Sequence, residues 1–448
     1  MNTVENILAA IIVLGGLVTF HELGHYWAAR WCGVHVMAFS FGFGKPLLVW
    51  RGRKGTRFML SALPLGGYVR LLEQPSELDD PAEQHGTVMA AQPCWKRAII
   101  VAAGPAANFL LAWGACWLLF LHGITGITPV IGAVAEKSWA AQGGLTSAQR
   151  IEYVNATKTP TWPRVQETIR ALPAKENMVI TTADGERHAM PPLSDVQRNK
   201  TFWEQTGIVP WQPAIPPVMG QVLPDSPAAR AGLAGGARIE AVNNVPIDSW
   251  EALLTQVRSA PAGRAILLKV QWPKERSPRS VEVWPEKKAQ VTEAVPVIGI
   301  QPMQVNVPWP DGHLSRQRYS LGEALLLGGD RTWSMCAATM VGIWQLATGA
   351  ASPRNLGGPV MIARVAGDSA RSGLEAFLGF FAYLSVSLGV FNLLPIPMLD
   401  GGQLLFLLAE AVKGRPLSLR IQLWGRMLGV VFVSGIMIMA LYFDLTRV

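Results

Sequence analysis

His21-Glu22-Leu23-Gly24-His25 puts two imidazoles four residues apart with a carboxylate beside the first. On a helix, positions i and i+4 share a face, so both rings can ligate one metal ion, and the HExxH pattern suits zinc. Bound zinc lowers the pKa of its water to about 7, and Glu22 is placed as the catalytic base that takes the proton when that water attacks a carbonyl. The expected complement is one Zn2+ per chain. Two helical histidines with an incidental glutamate are the plain alternative. It weakens because the motif follows directly on the uncharged run 7–20, and ionisable groups in a membrane span need partners or a function.

A catalytic zinc usually takes a third protein ligand and keeps a fourth position open. The other anomalous segment is Asn392-Leu-Leu-Pro395-Ile-Pro397-Met-Leu-Asp400-Gly401-Gly402. Two prolines two apart break a helix and release carbonyls, which a membrane tolerates only where backbone is buried in protein or lines a wet cavity. Asp400 is therefore the candidate third ligand, expected at the depth of His21 and His25. A helix C-terminus with a Gly turn would explain the glycines but neither Asn392 nor the prolines.

The rest of the chain must position these groups. Of its 448 residues, 50% are hydrophobic and only 16% charged, against about 25% in soluble domains. That excludes a charged soluble enzyme, a coiled coil or a disordered chain. The four cysteines stand singly, without a metal-binding pair or a disulfide framework. Uncharged segments predict four spans: one from residue 7 to near Arg30, then 98–121, 376–399 and 427–443. The acidic start MNTVEN argues for an uncleaved first span. Lys and Arg collect in the loop between the first two spans and in 404–426, so those loops face the cytoplasm and both termini face out. The net charge of +8 is then largely a topology signal, and no nucleic-acid partner is expected. The uncharged segment 332–350 is read as a helix lying on the outer membrane surface, anchored by Trp333 and Trp344, because a further span would carry Asp400 away from His21.

The polar block 122–375 repeats itself at a spacing of 88 residues. SWAAQGGLTSAQRIEYVN (138–155) lies on SPAARAGLAGGARIEAVN (226–243), and PVIGAV (129–134) on PVMGQV (217–222). These stretches resemble a tandem of PDZ domains, α+β modules that receive an extended peptide as an added strand. The resemblance places peptide-binding loops at Gly144-Leu145 and Gly232-Leu233, with PDZ ligand peptides as partners. In the first copy Trp139 and Thr146-Ser147-Ala148 depart from the pattern. Spacer domains that bind no peptide are the alternative.

HELGH at the end of a first span, NLLPIPMLDGG in a later one and two PDZ-like domains between them resemble the site-2 protease family. FSFGFGKPL (39–47), ALPLGGYVRLL (62–72), GPAANF (104–109) and NLGGPVMIARVAG (355–367) extend the match over essentially the whole chain. The resemblance implies an intramembrane zinc endopeptidase with ligands His21, His25 and Asp400, base Glu22, and Asn392 holding the substrate backbone. It also implies a membrane-associated β-hairpin around Gly66, Gly67 and Tyr68 whose edge receives the unwound substrate. The expected fold is a polytopic α-helical membrane protein with four transmembrane helices, that hairpin and two tandem periplasmic PDZ-like domains. Its organisation is 1–127 (two spans, HExxH and hairpin), 128–216 and 217–310 (the PDZ-like pair), 311–375 (a segment with the surface helix) and 376–448 (two spans with NxxPxPxLDG). The expected setting is the bacterial inner membrane. The expected substrates are single-pass proteins such as a membrane-bound anti-sigma factor after a first periplasmic cut, or signal-peptide remnants. A membrane-anchored PDZ scaffold with a structural or vestigial zinc site is the rival, and a zinc transporter is a further one.

Overall fold

The computed structural model describes residues 2–73, 86–172, 178–192, 201–261, 264–273, 275, 277–289, 294–303, 307–352 and 357–446. Asn355 and Leu356 of the 355–367 motif lie outside them. Two units separate by their internal contacts, 1–124 with 318–448, and 125–317.

The first unit opens with α1 (Asn2–Trp31), which at about 1.5 Å per residue exceeds the ~30 Å hydrocarbon layer. Val13 and Leu17 are buried against protein, whereas Val4, Ile7, Leu8 and Ile12 are exposed apolar surface. Gly33, at φ 82°, turns the chain into β1 (Val36–Arg51), which pairs antiparallel with β2 (Arg57–Leu71). The register doubles: Phe39 partners both Val69 and Phe58, and Ser40 both Tyr68 and Met59. The first half of β1 is thus flanked on two sides by β2, leaving residues 67–71 as one edge of the sheet. Leu47, Leu48, Val49 and Trp50 are exposed, an apolar blade with Arg51, Arg53, Lys54 and Arg57 at its tip. Helix α2 (Cys94–His122) follows.

In the second unit the topology repeats with the sequence. After β3 (Ile124–Ile127), the first copy runs β4 (Ile131–Val134), α3 (Trp139–Gln142), β5 (Ile151–Val154), β6 (Thr157–Lys158), α4 (Trp162–Ala171), β7 (Met178–Thr182), β8 (Arg187–Met190), α5 (Phe202–Thr206) and β9 (Ile208–Pro210). The second runs β10 (Met219–Val222), α6 (Pro227–Arg230), β11 (Arg238–Val242), β12 (Val245–Pro246), α7 (Trp250–Arg258), β13 (Ile266–Gln271), β14 (Arg279–Val283), β15 (Glu286–Ala289), β16 (Ala294–Val297) and β17 (Ile300–Pro302). The four-stranded sheets have orders β6-β5-β7-β8 and β12-β11-β13-β14, and β4 pairs β9 as β10 pairs β17. Asn155 and Asn243 adopt φ 52° and 48°, and each side-chain oxygen accepts from a strand amide, Val179 or Leu267, at 2.8 Å. Past these strands the copies diverge, with α5 in one and the β15–β16 hairpin in the other. The spacing therefore lengthens, and Gly207-Ile208 corresponds to Gly299-Ile300. Both glycines have positive φ and press on an N-cap serine, Ser138 or Ser226. Strand β18 (Leu314–Gln317) pairs back onto β3.

Returning to the first unit, α8 (Leu321–Ala347) is longer than the predicted 332–350 segment and packs lengthwise on α2. The Trp113 and Trp117 indoles donate to the Leu325 and Leu321 carbonyls at 2.9 and 3.3 Å, and Met335 and Cys336 reach the Ala112–Cys116 cluster. Gly328 permits the approach, since a Cβ there would lie 3.0 Å from the Trp117 amide. Trp333 and Trp344 remain exposed. After α9 (Pro359–Arg371), helix α10 (Leu374–Asn392) ends seven residues before the predicted span did, because Pro395 can neither donate to the 391 carbonyl nor fit against it. The stretch 404–426, read as a loop from its charges, instead contains most of α11 (Asp400–Lys413) and the start of α12 (Leu419–Thr446). Among the described residues, α1, α2, α10 and α12 are long and apolar enough to cross a membrane.

The end of α12 is tied to the start of α9 by one carboxylate. Asp444, 5% exposed, accepts from the amides of Gly358, Val360 and Met361 at 3.0–3.1 Å, capping three of the donors a helix start leaves unpaired. Asp444→Ala is expected to speed hydrogen exchange of the 358–361 amides by about tenfold or more, read by mass spectrometry in detergent. Unchanged protection there would refute the capping role.

Candidate metal centre

The site begins where α1 and α2 approach closely at two glycines. A Cβ on Gly24 would stand 2.3 Å from the Ala103 carbonyl oxygen. One on Gly104 would stand 2.3 Å from His25 Nε2 and 2.8 Å from His21 Cε1. The two glycines let the imidazoles occupy the space between the helix backbones. Pro105 lies inside α2 and supplies no amide to the preceding turn, which loosens that turn's hydrogen bonding. In the loosened turn the Ile100 carbonyl accepts from His25 Nδ1 at 2.8 Å. His21 Nδ1 lies 3.1 Å from the Asn108 side-chain amide, and Ser385 of α10 donates to the Asn108 carbonyl at 2.7 Å.

The third group of the cluster comes from the opposite end of the sequence. Asp400 does not close a helix but opens α11 after the unwound segment 393–399. Gly401 and Gly402 pack beneath that segment, where a Cβ would fall 2.2 Å from the Leu393 and Ile396 carbonyl oxygens respectively. Helix α11 is fastened to the start of α2 by the Arg97–Glu410 ion pair and by Cys94 Sγ donating to the Leu407 carbonyl at 3.2 Å. Asp400 Oδ2 thereby sits 3.1 Å from His21 Nε2 and 3.5 Å from His25 Nε2, and the two Nε2 atoms are 3.2 Å apart.

The residues fit a metal ion. Oδ2 is buried and no donor is aligned with it, although two imidazole nitrogens lie within 3.5 Å. Three groups that can each offer a lone pair thus converge on a common point, with the Asp400 oxygen left unpartnered among them. Two imidazoles and one carboxylate with a fourth position open are a catalytic zinc donor set. Among the described residues this is the one cluster of three such groups.

Glu22 lies beside the ligands and is tied elsewhere: its Oε2 accepts from the Val69 backbone amide of β2 at 3.0 Å. A cavity of about 390 Å³ opens here, lined by His21, Glu22, His25, Val69, Asn392 and Asp400 among others. Asn392 is thus at the site. Gly66, Gly67 and Tyr68 are not in its lining. Gly66 (φ 124°) packs on Phe43 and Val18, a Cβ on Gly67 would meet the Ser40 carbonyl at 2.4 Å, and Tyr68 stacks on Phe43. Their role is to fold the sheet onto itself and onto α1, and the edge facing the site is Val69–Leu71. In the second unit Leu145 and Leu233 are buried in the cores of their copies, beside Gly144 and Gly232 at φ 76° and 75°. The open groove of the second copy lies elsewhere, between Ile298–Gln301 and α7, with about 580 Å³ of space.

Gly104, Ile100, Asn108 and Val69 escape sequence reasoning as parts of the site. The first three belong to or precede GPAANF, whose signal was a glycine-proline pair and a lone amide within an otherwise apolar span. The Val69 contact is a backbone one and leaves no trace in residue type.

An HExxH helix packed in a membrane-type bundle, completed by an aspartate at a broken helix, defines a metalloprotease built within apolar helices. The description Peptidase family M50 matches residues 9–436, and the chain belongs to that family, the site-2 proteases. It is 36% identical over 447 residues to the regulator of sigma-E protease RseP of Escherichia coli strain K12, covering 98% of this chain and 97% of that one. It is 36% identical over the full length of both chains to the protease RseP of Yersinia pestis. A Vibrio cholerae protein provisionally named a zinc metalloprotease is 35% identical over 99% of this chain and 98% of its own. The protein is a zinc metalloprotease of the membrane.

Gly104→Ala is expected to empty the site, because the new methyl occupies the imidazole positions. Zinc per chain should fall to below about a tenth of wild type by elemental analysis, whereas Gly114→Ala, with nothing within 4 Å of its added Cβ, should retain it. Full zinc in Gly104→Ala would contradict the packing described.

Proposed function

We propose that this protein cuts single-pass membrane proteins within their transmembrane segment, with His21, His25 and Asp400 holding the zinc and Glu22 acting as base. One observation carries the reading: Glu22 lies beside the histidines and also accepts from an edge amide of the hairpin, so the base and a strand-docking edge share one cavity. Zinc, when bound, supplies Lewis acidity and an activated water. A substrate helix hides its carbonyls in i→i−4 bonds, so it must unwind, and strand pairing along the hairpin edge beside the Val69 amide that Glu22 occupies would replace those bonds in a layer that has no water to spare. Glu22 then accepts the proton of the attacking water and returns it to the leaving amine nitrogen. Asn392, on the cavity wall, is placed to hold the substrate backbone.

The relatives named for regulation of sigma-E support a membrane-bound anti-sigma factor as substrate class, cut after a first periplasmic cleavage; signal-peptide remnants share its single-pass chemistry. The basic segments between the spans support an inner-membrane topology with both termini and the repeats in the periplasm. The repeated units are read as PDZ-like domains, and the groove beside Gly299 is the place for a newly exposed C-terminus in the second copy.

Glu22→Gln should keep zinc yet lower cleavage of a reconstituted single-pass peptide by about 10²-fold or more, while Asp400→Ala should lose the metal as well. Turnover of Glu22→Gln near wild type would refute the role. A second test concerns the repeats. If the repeats act as a size filter that holds back substrates with an intact outer domain, deleting 128–310 should permit cleavage of such substrate, and a folded deletion variant that leaves it intact would end that reading.

A further inference from the structure

The two histidines differ in what holds their outer nitrogens. His25 Nδ1 meets a carbonyl, that of Ile100, at 2.8 Å, so its proton sits on Nδ1 and Nε2 is free to bind metal. His21 Nδ1 instead faces the NH2 end of Asn108 at 3.1 Å, while the Asn108 side-chain oxygen is buried with no partner at all. Asn108 is fully buried and cannot turn to solvent. With Nε2 of His21 directed at the metal, its Nδ1 must carry the proton, and two N–H donors would then oppose each other across 3.1 Å. The two ends of a carboxamide are nearly isosteric. A half-turn about the last side-chain bond exchanges them, replacing a donor–donor clash by an N–H···O bond and giving the stranded oxygen its partner.

We infer that Asn108 is a positioning residue for the metal, its side-chain carbonyl accepting from His21 Nδ1–H and so fixing the tautomer that offers Nε2. Both ligands of α1 would then be oriented by acceptors of one helix, α2: a backbone carbonyl for His25 and a carboxamide for His21. An acceptor on the far nitrogen of a ligating imidazole fixes the ring and raises its basicity. The backbone of Asn108 is itself held, by Ser385 from α10, so the acceptor is anchored to a third helix. This inference rests on the ligand assignment proposed above.

The test is chelator competition on the zinc-loaded full chain purified in detergent, comparing wild type, Asn108→Leu, Asn108→Asp and His21→Ala. Asn108→Leu keeps the volume and removes the acceptor, so zinc retention should weaken by about 10- to 100-fold. Asn108→Asp keeps an acceptor oxygen and should stay within about threefold of wild type. Were Asn108 only a packing group, the order would reverse, since leucine is the benign replacement there and a buried unpaired carboxylate the harmful one. The cobalt(II)-substituted protein supplies a second readout: its visible absorption bands should shift in Asn108→Leu and not in Asn108→Asp. If Asn108→Leu does not purify as a single species, Asn108→Ala against Asn108→Asp makes the same comparison. Wild-type zinc retention by Asn108→Leu, with His21→Ala losing metal, overturns the positioning role alone. Wild-type retention by His21→Ala overturns the ligand assignment, and this inference with it.

Discussion

Two imidazoles and a carboxylate in an apolar layer are tolerable only if they face one another around a shared charge, and the rest of this fold follows from arranging that meeting. A helix can carry the imidazoles, but it can turn them inward only toward a neighbour that presents no side chain at that level. Gly104 on α2 is that absence, and Gly24 on α1 brings the two backbones close enough to use it. The same turn of α2 contains Pro105, so the residue that relaxes the helix lies next to the residue that clears the space. Close packing and polar supply come from one nine-residue stretch, Ile100–Asn108.

The carboxylate poses the opposite problem, because a straight span could not deliver it. Pro395 and Pro397 stop α10 at Asn392, and the backbone between Leu393 and Leu399 turns on itself through short-range bonds such as Ile396 N–H to the Leu394 carbonyl at 2.7 Å. Released carbonyls in a membrane need company, and the first turn of α11 slides beneath them because Gly401 and Gly402 offer no Cβ. Asp400 therefore arrives on a helix start whose position is dictated by the broken segment above it. The Arg97–Glu410 pair then fixes the other end of that helix to α2, the helix that also orients the histidines. All three groups of the cluster are referred to a single element.

Local chemistry was the legible part of the sequence. HExxH is readable because its geometry closes within one helical turn, and Asp400 because polar residues and prolines violate the composition around them. The four spans were legible for the same reason, apolar length being a one-dimensional property. Helix α11 was hidden because its charges, Glu410 and Lys413, imitate a loop when only charge is counted. The last strand of each repeat was hidden because α5 and the β15–β16 hairpin differ in length, so no single spacing aligns Gly207 with Gly299. Gly104 and Val69 act through an absent side chain and a backbone amide, and neither announces a partner distant in the chain. Gly66, Gly67 and Tyr68 pack within the hairpin, and the neighbouring residues from Val69 onward line the cavity beside Glu22.

That neighbour explains why the hairpin belongs to the centre. An edge strand leaves amides unpaired, and a half-buried carboxylate leaves lone pairs unpaired; each is costly where water is scarce. The Val69 amide and Glu22 cancel both costs with one bond of 3.0 Å. The short connection makes the pairing geometrically natural, since Gly33 reverses the chain immediately after α1 and β1 starts at Val36. The helix that carries the base thus directs the sheet, and the sheet in turn fixes the orientation of the base. A change that loosened the hairpin, such as filling the space Gly67 leaves beneath the Ser40 carbonyl, would free Glu22 to rotate while leaving His21, His25 and Asp400 in place. The cluster and the Glu22 carboxylate are therefore held by separate contacts: α2 orients His21 and His25, and the hairpin holds Glu22.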